Sequence, residues 1–343
     1  MIPKRMSGFL MMLMLALAGA ATRVDAATKC QVQGEPAVIV MTDEAYCDQA
    51  VPRAARAHDP NGKGGNGEVW KGNPPQPRPS LIESLESVSS FDAHYWLVRA
   101  TADFDGDGEC DVVWTRCPDT GTEMAITLTP ASGQITAPSA ALFLVPGEEL
   151  VGSGDFVCAP GRMCGPGPVS DPALGDGVPD LVWWNPTAKT LTIWASDGLG
   201  GFPTGSAYRS SPAIDGPVGA WKPAAIANLD GAGLPEIVWR NTSSGNFVYW
   251  GFTAGGARPT HSSGGFLVPS QPADPNWTLS GAADFDGDGK DDLLFQNDCS
   301  DRDVVWYMNG AVRQSGEFLG PSVFPPHDST CEDGPYWTVY GPR

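Results

Sequence analysis

DFDGDGECD at residues 103–111 and DFDGDGKDD at residues 284–292 are two nearly identical stretches far apart in the chain. Aspartates fall at positions 1, 3, 5 and 9 of each: Asp103, Asp105, Asp107 and Asp111, then Asp284, Asp286, Asp288 and Asp292. A tryptophan (Trp96, Trp277) precedes the first aspartate by seven residues, and an aromatic (Trp114, Phe295) follows it by eleven. A third segment, WKPAAIANLDGAGLPEIVW from residue 221, keeps this frame with Asn228, Asp230 and Glu236, but carries Ala232 at position 5. A fourth is split: ELVGSGDF at 149–156 resumes as GDGVPDLVWW at 175–184, leaving Asp155, Asp176 and Asp180 around an insertion of about 17 residues.

The frame extends beyond the loops. Trp183, Trp239 and Phe295 are each followed eleven residues later by Trp194, Trp250 and Trp306. The pieces that carry these tryptophans (TLTIW, NFVYW, DVVWYM) are rich in β-branched and aromatic residues and read as strands. Short apolar pieces ending in proline follow, at 143–146, 266–269 and 318–321. Each unit therefore reads as strand, Asp loop, strand, turn, strand, turn, strand, which predicts an all-β fold of four-stranded antiparallel blades, a β-propeller. PYWTVYGPR at the C-terminus is a first strand that stops before its loop, and GEPAVIVM at 34–41 is a second strand with no first strand before it. Pairing these two pieces closes a ring without a free edge. The count is five blades: 337–343 with 30–95, then 96–147, 148–220, 221–276 and 277–336.

Hard oxygen ligands at this density suit Ca²⁺, with a backbone carbonyl near Glu109 or Lys290 completing the set. Gly108 and Gly289 permit the sharp turn that folds the carboxylates inward. Without a cation, four carboxylates this close repel one another. Two Ca²⁺ sites are expected, and up to four if the loops around Asn228, Asp230 and Glu236 and around Asp155, Asp176 and Asp180 also bind. An EF-hand ends in a bidentate Glu at position 12 between helices; here position 12 is Trp114 or Phe295 at the end of a β run. No CxxC pair with zinc spacing is present.

The two loops and their flanking aromatics resemble the FG-GAP or VCBS repeat family over roughly residues 30 to 343. The resemblance implies an integrin-α-like or lectin-like propeller in which calcium mainly holds the blades in shape. It also implies ligands taken on a face or between blades, in adhesion proteins, lectins and non-catalytic parts of enzymes.

Lys4 and Arg5 followed by an apolar run at 9–20 read as an export signal, too short for a membrane span. Cleavage is expected after Ala20 or Ala26, with a single domain over 27–343 and a secreted, extracellular or periplasmic location. No later apolar run is long enough to span a bilayer. Forty acidic residues against twenty-one basic ones give a net charge of −19, which disfavours nucleic acid as a partner.

Eight cysteines in an exported chain predict disulfides. Cys110 and Cys117 bracket a strand, about 20 Å apart, and should not pair. Cys30, Cys110, Cys158 and Cys164 fall in loops on one face, and Cys47, Cys117, Cys299 and Cys331 on the other. Adjacency favours Cys30–Cys110, Cys158–Cys164, Cys47–Cys117 and Cys299–Cys331, with Cys30–Cys47 open as an alternative.

None of the four histidines (His58, His94, His261, His327) sits in a nucleophile-base or metal-ligand spacing, and no GxSxG, HExxH or phosphate loop occurs. The reading is a non-catalytic module that binds glycan or extracellular protein. A polysaccharide hydrolase or lyase, or a structural part of a surface assembly, are the alternatives. Trp184 points away from Trp183 across its strand and is a candidate ligand stacker. The insertions at 43–63, with Arg53, Arg56 and Lys63, and at 157–175 are candidate recognition loops or tolerated surface insertions. Asn241-Thr242-Ser243 and Asn276-Trp277-Thr278 match the glycosylation sequon.

Overall fold

The computed structural model describes residues 31–32, 35–42, 67–71, 80–84, 96–105, 111–116, 123–127, 140–143, 147–157, 175–199, 202, 214–254, 259–300, 302–318 and 337–340. The export signal, the insertion at 43–63, residues 158–174 of the second insertion, Asp107, Glu109 and every cysteine except Cys299 lie outside the described residues.

All regular elements among the described residues are strands. The first sheet holds β1 (Gln31–Val32), β2 (Glu35–Thr42), β3 (Gly67–Lys71) and β4 (Ser80–Ser84). The second holds β5 (Trp96–Ala102), β6 (Asp111–Arg116), β7 (Glu123–Thr127) and β8 (Ala140–Phe143). The third comprises β9 (Glu149–Gly154), β10 (Asp180–Asn185), β11 (Thr190–Trp194) and β12 (Ile214–Asp215). The fourth comprises β13 (Trp221–Ala227), β14 (Glu236–Asn241), β15 (Phe247–Ala254) and β16 (Pro259–Phe266). The fifth comprises β17 (Trp277–Ala283), β18 (Asp292–Asn297), β19 (Arg302–Asn309) and β20 (Val312–Phe318). The last strand, β21 (Trp337–Tyr340), returns to the first sheet and pairs antiparallel with β2, with Ile39 opposite Tyr340 and Thr42 opposite Trp337. That is the joining of chain ends expected from the two incomplete terminal repeats. The opening strands lie side by side in chain order: β5 against β9, β9 against β13, β13 against β17 and β17 against β21.

The eleven-residue aromatic spacing is a contact. Trp183 meets Trp194 with ring centroids 4.9 Å apart, Trp239 meets Trp250 at 5.4 Å, and Phe295 meets Trp306 at 4.6 Å. The register places these pairs diagonally across neighbouring strands, since Trp183 is opposite Thr192 and Trp194 is opposite Leu181.

In the second to fifth sheets the first–second strand pair also carries one bulge, at the same place. The register steps past Arg99, Val151, Ala224 or Ser280, four positions before the first residue of its loop. A bulge adds twist where the strand enters the loop.

Between the sheets the core is continuous. Trp183 and Leu181 pack with Ala100, Ala102 and Val113 of the second sheet. On the other side of the same strand, Trp184 and Val182 pack with Ile237 and Trp239 of the fourth. Val238 and Phe247 of the fourth join Leu293, Phe295 and Trp306 of the fifth.

This corrects the reading of Trp184 as a ligand stacker. It does lie opposite Trp183, but that side meets the next sheet: the ring is 1% exposed and edge-on to Trp239 at 5.2 Å. A strand sandwiched between two sheets has no solvent-facing side.

The turn between second and third strands follows one plan. Asn185, Asn241 and Asn297 each accept two backbone N–H bonds from residues two and three positions on. The fifth residue is left-handed, Gly245 at φ 76° and Lys189 at φ 57°. The exposed Asn241 sequon is thereby part of a turn, with its side-chain oxygen engaged.

Replacing Trp184 by alanine should cost about 3–5 kcal/mol of unfolding free energy in urea titrations, as expected for a buried aromatic rather than a surface stacker. Lys189→Gly relieves the left-handed strain and should raise stability by about 0.5 kcal/mol, net of the lost Lys189–Trp184 cation–π contact; a thermal melt reads the difference.

Candidate metal centres

Each Asp loop spans the gap between the first and second strands of its sheet, so its first and ninth residues are fixed by the β ladder. In the fifth sheet, Ala283 pairs with Asp292, which begins β18. The intervening residues turn sharply through Gly287 and Gly289, with φ of 81° and 84°. That turn directs carboxylate oxygens of Asp284, Asp286 and Asp292 to within 4.8 Å of one another. The second sheet repeats the grouping with Asp103, Asp105 and Asp111, its oxygens also within 4.8 Å. Among the described residues these are the two such groups, and they are the two loops singled out by sequence. Asp107 and Glu109 lie outside the described residues.

Asp288 stands apart from the group. Its carboxylate accepts the Lys290 N–H at 2.9 Å and pairs with the Lys290 ammonium at 3.0 Å. Asp284 is the organiser of the turn, accepting the N–H groups of Gly287 at 2.7 Å, Asp288 at 3.0 Å and Gly289 at 2.9 Å.

The ninth-position acid has a structural task that its ligand role concealed. One oxygen of Asp292 accepts the Phe285 N–H at 3.0 Å, and the other accepts the Met308 N–H at 2.8 Å. It thus ties the loop to the third strand of the sheet. Asp111 accepts from Phe104 at 2.8 Å, and Glu236 from Leu229 at 2.8 Å. Asp180 accepts from Phe156 at 2.9 Å, Val157 at 2.8 Å and Ser196 at 3.2 Å. In all four loops the donor is the N–H of the second residue, whose side chain is buried.

The two weaker loops keep the backbone but not the grouping. In the third sheet, Asp155 accepts from Asp176 at 3.0 Å and Gly177 at 2.7 Å, the same bonds Asp284 makes to Asp288 and Gly289. The insertion therefore leaves the loop geometry intact. What is missing is the third-position carboxylate: Val157 stands there, and its N–H is taken by Asp180. In the fourth sheet, Asn228 and Asp230 both accept the Ala232 N–H, at 3.0 and 2.9 Å. Alanine supplies no oxygen at position 5. Asp155, Asp176 and Asp180, like Asp230 and Glu236, do not form a close three-acid group.

Burial makes these acids costly to ionise. It pushes the Asp292 carboxyl up to about 7, against the Met308 hydrogen bond, and the negative charge of Asp286 adds to the rise. Asp284 is also raised, by burial. Asp180 is raised well above the usual range by burial and by Asp155. Glu236 is pushed to about 8 by burial, with Asp230 second. A bound cation would reverse this by compensating the charge, and carboxylate oxygens are hard donors, suited to a hard divalent cation rather than a softer metal.

Cys299, in the turn after β18, is disulfide-bonded, and its partner lies outside the described residues. His261 stacks on Trp250 with ring centroids 4.3 Å apart. No helix among the described residues is long and apolar enough to cross a membrane.

No protein-family model and no curated protein matches the chain. Among solved structures it is similar to the Tc holotoxin pore of Photorhabdus luminescens, at 18% identity and a TM-score of 0.39 over 76% of this chain. It is also similar to the rhamnogalacturonan lyases YesW (12% identity, TM-score 0.26, 70% of this chain) and PL11 of Bacillus licheniformis (14%, 0.26, 77%). The chain spans 11% of the toxin chain and 50% and 53% of the lyases. Likenesses at such TM-scores assign no function.

Asp292→Ala leaves two buried N–H groups without partners and should cost roughly 2–5 kcal/mol even in chelator. Asp288→Ala, at an exposed site, should fall within about 0.5 kcal/mol under the same conditions. Urea unfolding with chelator present compares the two; equal losses would remove the anchoring role of the ninth position.

Proposed function

We propose that the chain is an exported, calcium-stabilised β-propeller of five blades, of the FG-GAP or VCBS kind, that acts as a non-catalytic binding or adhesion module for a glycan or an extracellular protein. The observation that carries this reading is the repeated grouping of three carboxylates at one place in two sheets, Asp103, Asp105 and Asp111, and Asp284, Asp286 and Asp292. Two features support the ring. Successive opening strands lie side by side, and β21 completes the sheet begun by β2. In such a ring the ions sit in loops at the edge of the core, where they order the scaffold. Ligand recognition then falls to segments outside the strands, and the sequence insertions at 43–63 and 157–175 are the candidates.

Calcium should raise the melting temperature relative to chelator, because an ion that binds the folded form at 100 times its Kd contributes about 2.7 kcal/mol per site. The rise should disappear when Asp105 and Asp286 are both changed to Ala, with the β content unchanged by circular dichroism. The calcium-loaded protein is then screened on a glycan array and by pull-down. Binding in either supports the module; absence of any binder together with turnover of a polysaccharide would replace it with the enzymatic alternative.

A further inference from the structure

The loop of the fourth sheet lacks a full ligand set, yet it holds the same turn as the complete loop beside it. Gly231 and Gly233 are left-handed at φ 70° and 71°, matching Gly287 and Gly289. Its neighbour supplies what the missing acid does not. The Asn228 N–H donates to a carboxylate oxygen of Asp291, and the Asp291 N–H donates to the Asn228 carbonyl at 2.9 Å. One residue on, the Gly310 N–H donates to the Leu229 carbonyl at 2.9 Å, while the Leu229 side chain packs with Leu293, Phe295, Trp306 and Met308. Asp291 is 6% exposed, so this reciprocal pair is shielded from water.

Asp291 occupies the eighth position of its loop. In the third and fourth loops that position is Pro179 or Pro235, and a proline has no N–H to complete such a pair. Among the third, fourth and fifth loops the clasp is therefore particular to the junction of the fourth and fifth sheets, where the receiving loop lacks the position-5 acid.

We propose that Asp291 is a positioning residue that orders the incomplete loop at 228–232 from the neighbouring complete loop, so that the fourth sheet uses its neighbour in place of an ion of its own. The clasp stands on the hydrogen bonds. Its dependence on calcium rests on the metal reading of Asp284, Asp286 and Asp292, because Asp291 is adjacent to one of those ligands and moves with it.

Amide hydrogen exchange on the full chain tests both parts. Asp291→Ala should make the amides of 228–232 exchange about tenfold faster, as expected for loss of a charge-assisted hydrogen bond, while 284–290 change little. Asp291→Asn keeps an oxygen acceptor and the N–H, and should retain most of the protection. Unchanged exchange at 228–232 in Asp291→Ala, or equal acceleration in both variants, overturns the clasp. In the wild type, calcium should slow exchange at 228–232 together with 284–290, and in Asp291→Ala at 284–290 alone. Slowing confined to 284–290 in the wild type overturns the dependence on the neighbour. Slowing at neither segment removes the calcium reading, and the comparison of the two variants still decides the clasp.

Discussion

A buried carboxylate at the start of the second strand in the second to fifth sheets, accepting the N–H of the loop's second residue, is the constraint on which the rest of each sheet depends. Asp111, Asp180, Glu236 and Asp292 all do this, and all are at most 5% exposed. The loop must otherwise bury an N–H without a partner, which costs a large fraction of a small domain's stability. Asp180 and Asp292 use their remaining oxygen to hold the third strand, through Ser196 and Met308. One side chain thus joins loop, second strand and third strand.

Closing the loop this way places its second residue over the next sheet. Phe104 packs with Leu181, Trp183 and Trp194 of the third sheet, Phe156 with Leu234, Ile237 and Trp239 of the fourth, and Leu229 with Leu293 and Phe295 of the fifth. Electrostatics and packing meet here in adjacent residues. The acid fixes the backbone, and the fixed backbone delivers the apolar plug. An apolar plug at this site ties the second, third and fourth sheets each to its successor.

Strands, loops and the pairing of the chain ends were legible because they depend on local spacing. The eleven-residue aromatic interval of the third, fourth and fifth repeats corresponds to two rings that touch. Other features depend on what faces what across sheets, which no local pattern records. Trp184 alternates away from Trp183 as expected, but the surface it meets is Trp239. The bulges at Arg99, Val151, Ala224 and Ser280 leave no mark beyond small or unremarkable residues. Val157 at the third position was hidden by the insertion that follows it, although the intact register of Asp155 with Asp176 and Gly177 shows where the count resumes. The repeated asparagines Asn185, Asn241 and Asn297 were visible as a pattern, and only their paired hydrogen bonds reveal them as turn-formers.

The ninth-position acid also explains why loops can lose ligands and survive. Were the ion the only thing holding the turn, replacing a ligand by Ala232 or Val157 would release it. Instead the hydrogen bonds to Asp155 and Asn228 persist in the reduced loops, and Asp180 and Glu236 still anchor the strand. Burial pushes Glu236 to about 8, so it can stay protonated near neutral pH and still accept the Leu229 N–H through its carbonyl oxygen. A carboxylate that titrates this high does not need a cation to be tolerated in the interior. In the complete loops Asp286 and Asp284 also bear on Asp292 and raise its carboxyl further, so its charged form is costlier still unless a cation compensates it. A divalent ion would offset two of the three charges in such a group, where a proton removes one. On the proposed calcium reading, the same scaffold carries its buried acid in two ways, protonated as Glu236 can be, or compensated by an ion where three aspartates converge.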